Sequence, residues 1–141
     1  VAEGRPIDVA RLLELSARVR GGQAAFTETG GLHAAAWCDA ELEPRVLRED
    51  IGRHNAVDKV IGRRLLLDAL PARDGLLAVS GRASFEIVQK AVLAGVPLIA
   101  AVSAPSSLAV DLAHEAGVTL LGFVRDGGFT IYAHEARVQR E

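Results

Sequence analysis

Apolar positions along this chain switch between a helical and an extended period, and the switches mark out the elements. Residues 5–20 read as a helix: Pro6 suits its first turn, Val9, Leu12, Leu13 and Ser16 share one face, and Gly21 and Gly22 end it. A compact run of small apolar residues at 32–39 reads as a strand, with 43–48 returning beside it as a hairpin partner. A second helix is expected from about 54 to 70, where Ala56, Val57, Val60, Ile61 and Leu65 fall at helical spacing. The pattern then becomes regular. Short apolar strands at 76–80, 97–102 and 119–124 alternate with helices at 85–93 and after Ser106, the latter with a face of Leu108, Ala109, Leu112, Ala113 and Ala116. Gly95 and Gly117 stop these helices, and 129–133 forms a last short strand after Gly127 and Gly128. Continuous apolar strands between amphipathic helices predict an α/β fold with a mostly parallel sheet covered on both faces, a three-layer α/β/α sandwich joined by right-handed crossovers.

Composition narrows the class. A chain of 141 residues suits one domain, 1–141, with a single core. Half of the residues are hydrophobic and 24% are charged, which excludes a disordered or fibrous chain. A net charge of −2 gives no global basic field for nucleic acid or anionic membrane. The longest uncharged stretches contain Ser, Pro and Gly and read as buried strands, so no membrane span is expected. Glu3, Arg5, Asp8 and Arg11 interrupt any apolar core of a signal peptide, and a cytoplasmic domain is expected. The single cysteine, Cys38, rules out an internal disulfide framework and a cysteine-built zinc cage, and no metal site is expected.

Three loops run from a strand's end into a helix's start, at 50–55, 80–84 and 103–107. In an open α/β sheet ligands bind beyond the carboxyl ends of the strands, where helix N-termini present free N–H groups to phosphate. Arg53 and Arg82 suit bidentate grips on phosphate oxygens, and Ser80, Ser84, Ser103, Ser106 and Ser107 offer hydroxyls. Gly52 and Gly81 permit close backbone approach. Taken singly, each loop is equally an ordinary N-cap; together they point to an anionic ligand. His54 and Asn55 stand at a helix start with Asp58 and Lys59 one turn on. His54 is either an acid/base oriented by Asp58 or part of a capping cluster, and Lys59 either a phosphate contact or a surface lysine. His33 reads as a hydrogen-bonded structural residue, Cys38 as a buried inert thiol, and His114 and His134 as surface residues.

Several runs resemble motifs of the FdhD/NarQ family. They are Thr29-Gly30-Gly31-Leu32-His33, the stretch at 49–62 that contains Gly52-Arg53-His54-Asn55 and Asp58-Lys59, Ser80-Gly81-Arg82-Ala83-Ser84-Phe85-Glu86, Ser103-Ala104-Pro105-Ser106-Ser107, and the run at 119–125 followed by Phe129 and Tyr132. The resemblance spans residues 26–137. It implies a fold similar to that of cytidine deaminase and a sulfur carrier required for formate dehydrogenase activity. Such a carrier takes persulfide sulfur from a cysteine desulfurase and passes it to the bis(molybdopterin guanine dinucleotide) molybdenum cofactor. It also implies a homodimer and a cofactor-binding segment at Phe123, Val124, Arg125, Asp126, Gly127 and Gly128. Arg53, His54, Asn55, Ser80, Gly81, Arg82, Ser103 and Ser106 are expected to contribute to the same site. The family carries sulfur on a Cys-x-x-Cys loop that has no counterpart here, so no catalytic residue is assigned and this chain is expected to be the C-terminal portion of a longer protein. A noncatalytic module that docks a formate dehydrogenase subunit is the competing reading. A zinc deaminase lacks its ligands: Asn55-Ala56 follows His54 where a His-x-Glu is needed, and Ser80-Gly81-Arg82 stands where a Cys pair is needed.

Overall fold

The computed structural model describes residues 7–8, 33–39, 44–66, 75–125 and 128–139. In chain order these form β1 (Ile7–Asp8), β2 (His33–Cys38), β3 (Pro44–Asp50), α1 (Arg53–Leu66), β4 (Leu76–Val79), α2 (Phe85–Leu93), β5 (Leu98–Ala101), α3 (Ser107–Ala116), β6 (Thr119–Arg125), β7 (Gly128–Ala133), a 3-10 turn (Glu135–Arg137) and β8 (Val138–Gln139). Six strands make one sheet in the order β3-β2-β4-β5-β6-β7, and β1 and β8 pair separately.

The α/β architecture is as the sequence predicts, with a mixed sheet. The pairs β4–β5 and β5–β6 are parallel, whereas β2–β3, β2–β4 and β6–β7 are antiparallel. The parallel centre is where helical crossovers connect the strands. Antiparallel pairing takes over at the flanks, where β2 and β3 are neighbours with a short connection and β7 turns back beside β6. A further difference concerns Ile7 and Asp8. The predicted helix over 5–20 would contain them, yet they form a short strand parallel to Val138 and Gln139; the remainder of that prediction, with Gly21 and Gly22, lies outside the described residues.

The chain steps in one direction from β3 to β4, β5 and β6, so crossovers of one hand place α1, α2 and α3 on one face. Ala56, Val57, Val60, Ile87, Val88, Ala91, Ala109 and Ala113 from these helices pack with Ala35, Trp37, Leu77, Val79, Ile99 and Leu120 of the sheet. The opposite face is buried as well: Ala36, Cys38, Leu76, Ala78, Leu98, Ala100, Leu121 and Val124 cluster there with Val138. Side chains alternate across these strands as the pleat requires. The buried residues of α3 are both alanines, Ala109 and Ala113.

Helix boundaries follow from local chemistry. Ser84 Oγ accepts from Ile87 N at 3.3 Å to start α2, and Ser106 Oγ accepts from Ala109 N at 3.1 Å to start α3. Gly117 ends α3 in the left-handed region, at φ 74°. Leu108, expected on the buried face of α3, is 63% exposed instead, and Ala109 and Ala113 carry that face. Because β3, β4, β5 and β6 all run the same way, their carboxyl ends and the helix starts that follow gather along one edge.

Candidate functional site

Two of those starts and the end of β6 are stitched together by backbone bonds. Ser103 N donates to Gly81 O at 3.4 Å, Ser106 N to Ala83 O at 3.0 Å, and Phe123 N to Ser103 O at 3.3 Å. Between them lies a cleft of about 280 Å³ lined by Arg53, Arg82, Ala83, Ser84, Ala104, Pro105 and Ser106. The structure therefore brings Arg53 of the first loop, Arg82 of the second and Ser106 of the third into one concavity, as the pattern of helix starts implies.

The turn that presents Arg53 is built by Asp50. Its carboxylate accepts from Gly52 N at 3.0 Å, from Asn55 Nδ2 at 3.5 Å and from Lys59 Nζ at 2.8 Å. The ammonium of Lys59, followed by the Gly52 amide, holds the Asp50 carboxyl at about 2, below its ordinary 3.8. Lys59 also donates to Glu49 O at 2.9 Å. Both Asn55 and Lys59 thus serve the turn. The guanidinium Nε of Arg53 is buried and has no acceptor among the described residues, which leaves the cleft with an unmet demand for one.

His54 is not oriented by Asp58. Its Nε2 lies 3.0 Å from Ser84 Oγ, while Asp58 pairs with Lys90 across the α1–α2 seam at 2.7 Å. Ser84 therefore does double duty, as the N-cap of α2 and as the partner of His54. The sequence groups it with four other serines, and only its place three residues before Ile87 marks it as a cap. Ala104 and Pro105, which the sequence reading did not single out, complete the cleft wall.

The remaining expected site residues divide. Ser80 Oγ accepts from Ala34 N at 2.8 Å and so helps hold β2 to the end of β4. Gly81 is packed closely: a Cβ there would stand 3.3 Å from His33 Nδ1 and 3.9 Å from Arg53 Cδ. Phe123 and Ser103 are hydrogen-bonded to each other but do not line the cleft, and Phe123 has a left-handed backbone, φ 52°, within a break in the β6–β7 register between Gly122 and Arg125. Gly122 before it admits no side chain, since a Cβ would meet Tyr132 at 2.7 Å and Pro105 at 3.0 Å. Val124 is buried in the second core cluster, so what it can offer a ligand is its backbone. Arg125 and Gly128 flank the turn; Asp126 and Gly127 lie outside the described residues. Cys38 is fully buried. Among the described residues no three His, Cys, Asp or Glu side chains gather as metal ligands, and no helix is long and apolar enough to cross a membrane.

Comparison with known proteins agrees with the motif reading. The sequence model of the FdhD/NarQ family matches residues 1–139. A protein named sulfur carrier protein FdhD from Nocardia farcinica is 57% identical over 128 residues, 91% of this chain and 46% of the relative. Its namesake from Sulfurisphaera tokodaii is 52% identical over 127 residues, 90% of this chain and 50% of the relative. This chain thus spans about half the length of the curated relatives it matches. A solved structure described as a formate dehydrogenase accessory protein from Desulfotalea psychrophila superposes with a TM-score of 0.89 at 27% identity, over 97% of this chain and 61% of that one. NE0047 in complex with 8-azaguanine shares the fold alone, with a TM-score of 0.55 at 14% identity over 83% of this chain and 77% of that one. Motifs, match and superposition converge: the chain belongs to the FdhD/NarQ family.

Proposed function

We propose that this chain is the cofactor-gripping part of a cytoplasmic sulfur carrier that serves formate dehydrogenase. Its substrate is the bis(molybdopterin guanine dinucleotide) molybdenum cofactor, and the sulfur comes from a cysteine desulfurase. The observation that carries the reading is the pairing of Arg53 and Arg82 in one cleft with Ser84 and Ser106, where the buried Nε of Arg53 has no acceptor among the described residues. A cleft of about 280 Å³ is near the lower bound of ligand pockets, roughly 300 Å³. It fits one diphosphate-bearing end of that cofactor and not the whole. The molybdenum centre of the substrate would receive the sulfur, and this chain's residues hold one nucleotide end. Cys38, sealed in the core, is no carrier of that sulfur, so the persulfide belongs to the part of the relatives' length that this chain does not match. Homodimerisation belongs to the same reading.

Calorimetric titration with GDP, as one nucleotide end of the substrate, tests it. Saturable binding is expected, and Arg53→Ala and Arg82→Ala should each weaken it by about 1.5–3 kcal/mol, roughly ten- to a hundredfold. Unchanged affinity in both folded variants would remove the phosphate role. The competing reading, a docking module for a formate dehydrogenase subunit, draws on exposed apolar residues along the same edge, Ile51 at 80% and Leu108 at 63%. It is favoured if GDP fails to bind while the dehydrogenase subunit does.

A further inference from the structure

The His54–Ser84 contact has a consequence for the cleft that the two arginines alone do not supply. Ser84 Oγ has one proton and two lone pairs, and one lone pair is taken by the amide of Ile87. In the neutral tautomer that carries its proton on Nδ1, His54 Nε2 is bare and the Ser84 proton goes to it. The hydroxyl then turns its remaining lone pair toward the cleft and repels an anion. When Nε2 carries a proton, it donates to Ser84 at the same 3.0 Å separation. Ser84 then accepts twice and its own O–H is released toward the cleft it lines. An imidazolium adds a positive charge beside Arg53 and Arg82 as well.

We propose that His54 couples anion binding in this cleft to proton uptake, acting through the Ser84 hydroxyl as a positioning residue. The inference rests on the anion-binding reading of the same cleft. The charged groups around His54 leave this role to it. On its own helix, Arg53 lines the cleft and Asp58 is held by Lys90 of α2. Arg82 approaches from the turn before α2. From the sheet, the register places His33 and Asp50 opposite each other and Arg48 opposite Ala35, on the helix-covered face. Asp50 is neutralised by Lys59, and Arg48 Nη1 donates to Leu47 O at 2.7 Å. Of the carboxylates on these elements, Asp50 and Asp58 are thus paired with lysines, Glu49 stands opposite Ala34 on the other face of the sheet, and Glu86 is exposed to solvent on the first turn of α2, so within the cleft the anion itself is the counter-charge.

Sulfate is the probe, because its charge does not change across the range in which histidine titrates. Its binding, followed by NMR at the amides of residues 82–87, is expected to tighten at least about fivefold between about pH 8 and about pH 5, the effect of one added unit charge about 4 Å from a unit negative charge at the dielectric constant of water. The His54 imidazole resonances should report its protonation as sulfate saturates. In His54→Gln the side-chain amide donates to Ser84 without titrating, so sulfate should still bind and the pH dependence should vanish. The measurement on the unaltered protein stands even if that variant folds poorly. Sulfate binding that ignores pH, or the same pH slope in the folded Gln variant, overturns the coupling and leaves the anion site intact. Failure of sulfate to bind at any pH, with Arg82→Ala giving identical spectra on titration, overturns the coupling together with the site it rests on.

Discussion

Asp50 accepts from the Gly52 amide and the Lys59 ammonium, and those donors fix the turn from which Arg53 enters the cleft. Its carboxyl is held at about 2 against an ordinary 3.8. A depressed acid contributes to folding above its unfolded value, and that contribution is lost as pH falls through the folded one. The turn should therefore loosen between about pH 4 and about pH 2. Carbon-detected NMR of the Asp50 carboxyl should give a midpoint near the lower end, and Lys59→Met should return it toward the ordinary range. An unshifted midpoint would mean that the Lys59 contact does not hold in solution. At this scale the sequence was partly legible. Arg53 and Arg82 stand out because glycine precedes each at a helix start. The partner of His54 did not, since Asp58 at i+4 is near in sequence whereas Ser84 is 30 residues away and meets it only through the packing of α1 on α2.

Among the elements, α2 and α3 begin alike, each with a serine whose hydroxyl accepts from the amide three residues on. The two caps differ in what else they hold. Ser106→Ala removes one capping bond and should cost about 1 kcal/mol in urea denaturation. Ser84→Ala removes the cap and the His54 contact, and should cost more than Ser106→Ala while also weakening GDP binding. Equal losses of stability with GDP affinity untouched would show that the His54 contact contributes nothing. The periodicity placed most of these helices and strands within a few residues because their apolar faces are continuous. It gave no means of telling strand direction, since an antiparallel strand such as β2, buried at five of its six positions, reads like a parallel one. Nor could it find β1, whose two residues pair with a strand more than 120 positions away. Such pairing leaves no local periodicity.

For the molecule as a whole, the sheet's centre carries both cores. Every residue of β4 and β5 is buried, Leu76 and Leu77 toward opposite faces and Leu98 and Ile99 likewise. The edge strand β7 is mostly half-buried. Opening β4 or β5 exposes apolar surface on two faces at once, so their amides should exchange only through global unfolding, whereas those of β7 should exchange through smaller openings. A ligand that binds only the folded chain slows global opening by the factor it adds to stability. GDP at a hundredfold excess over its dissociation constant should therefore slow exchange in β4 and β5 about a hundredfold. Although the cleft contains none of these residues, the loops around it are the direct continuations of the two strands. Exchange in β4 and β5 that stays constant while the 81–84 and 103–106 amides become protected would show that the site closes locally. In that case the cleft edge and the doubly buried centre would be separate cooperative units.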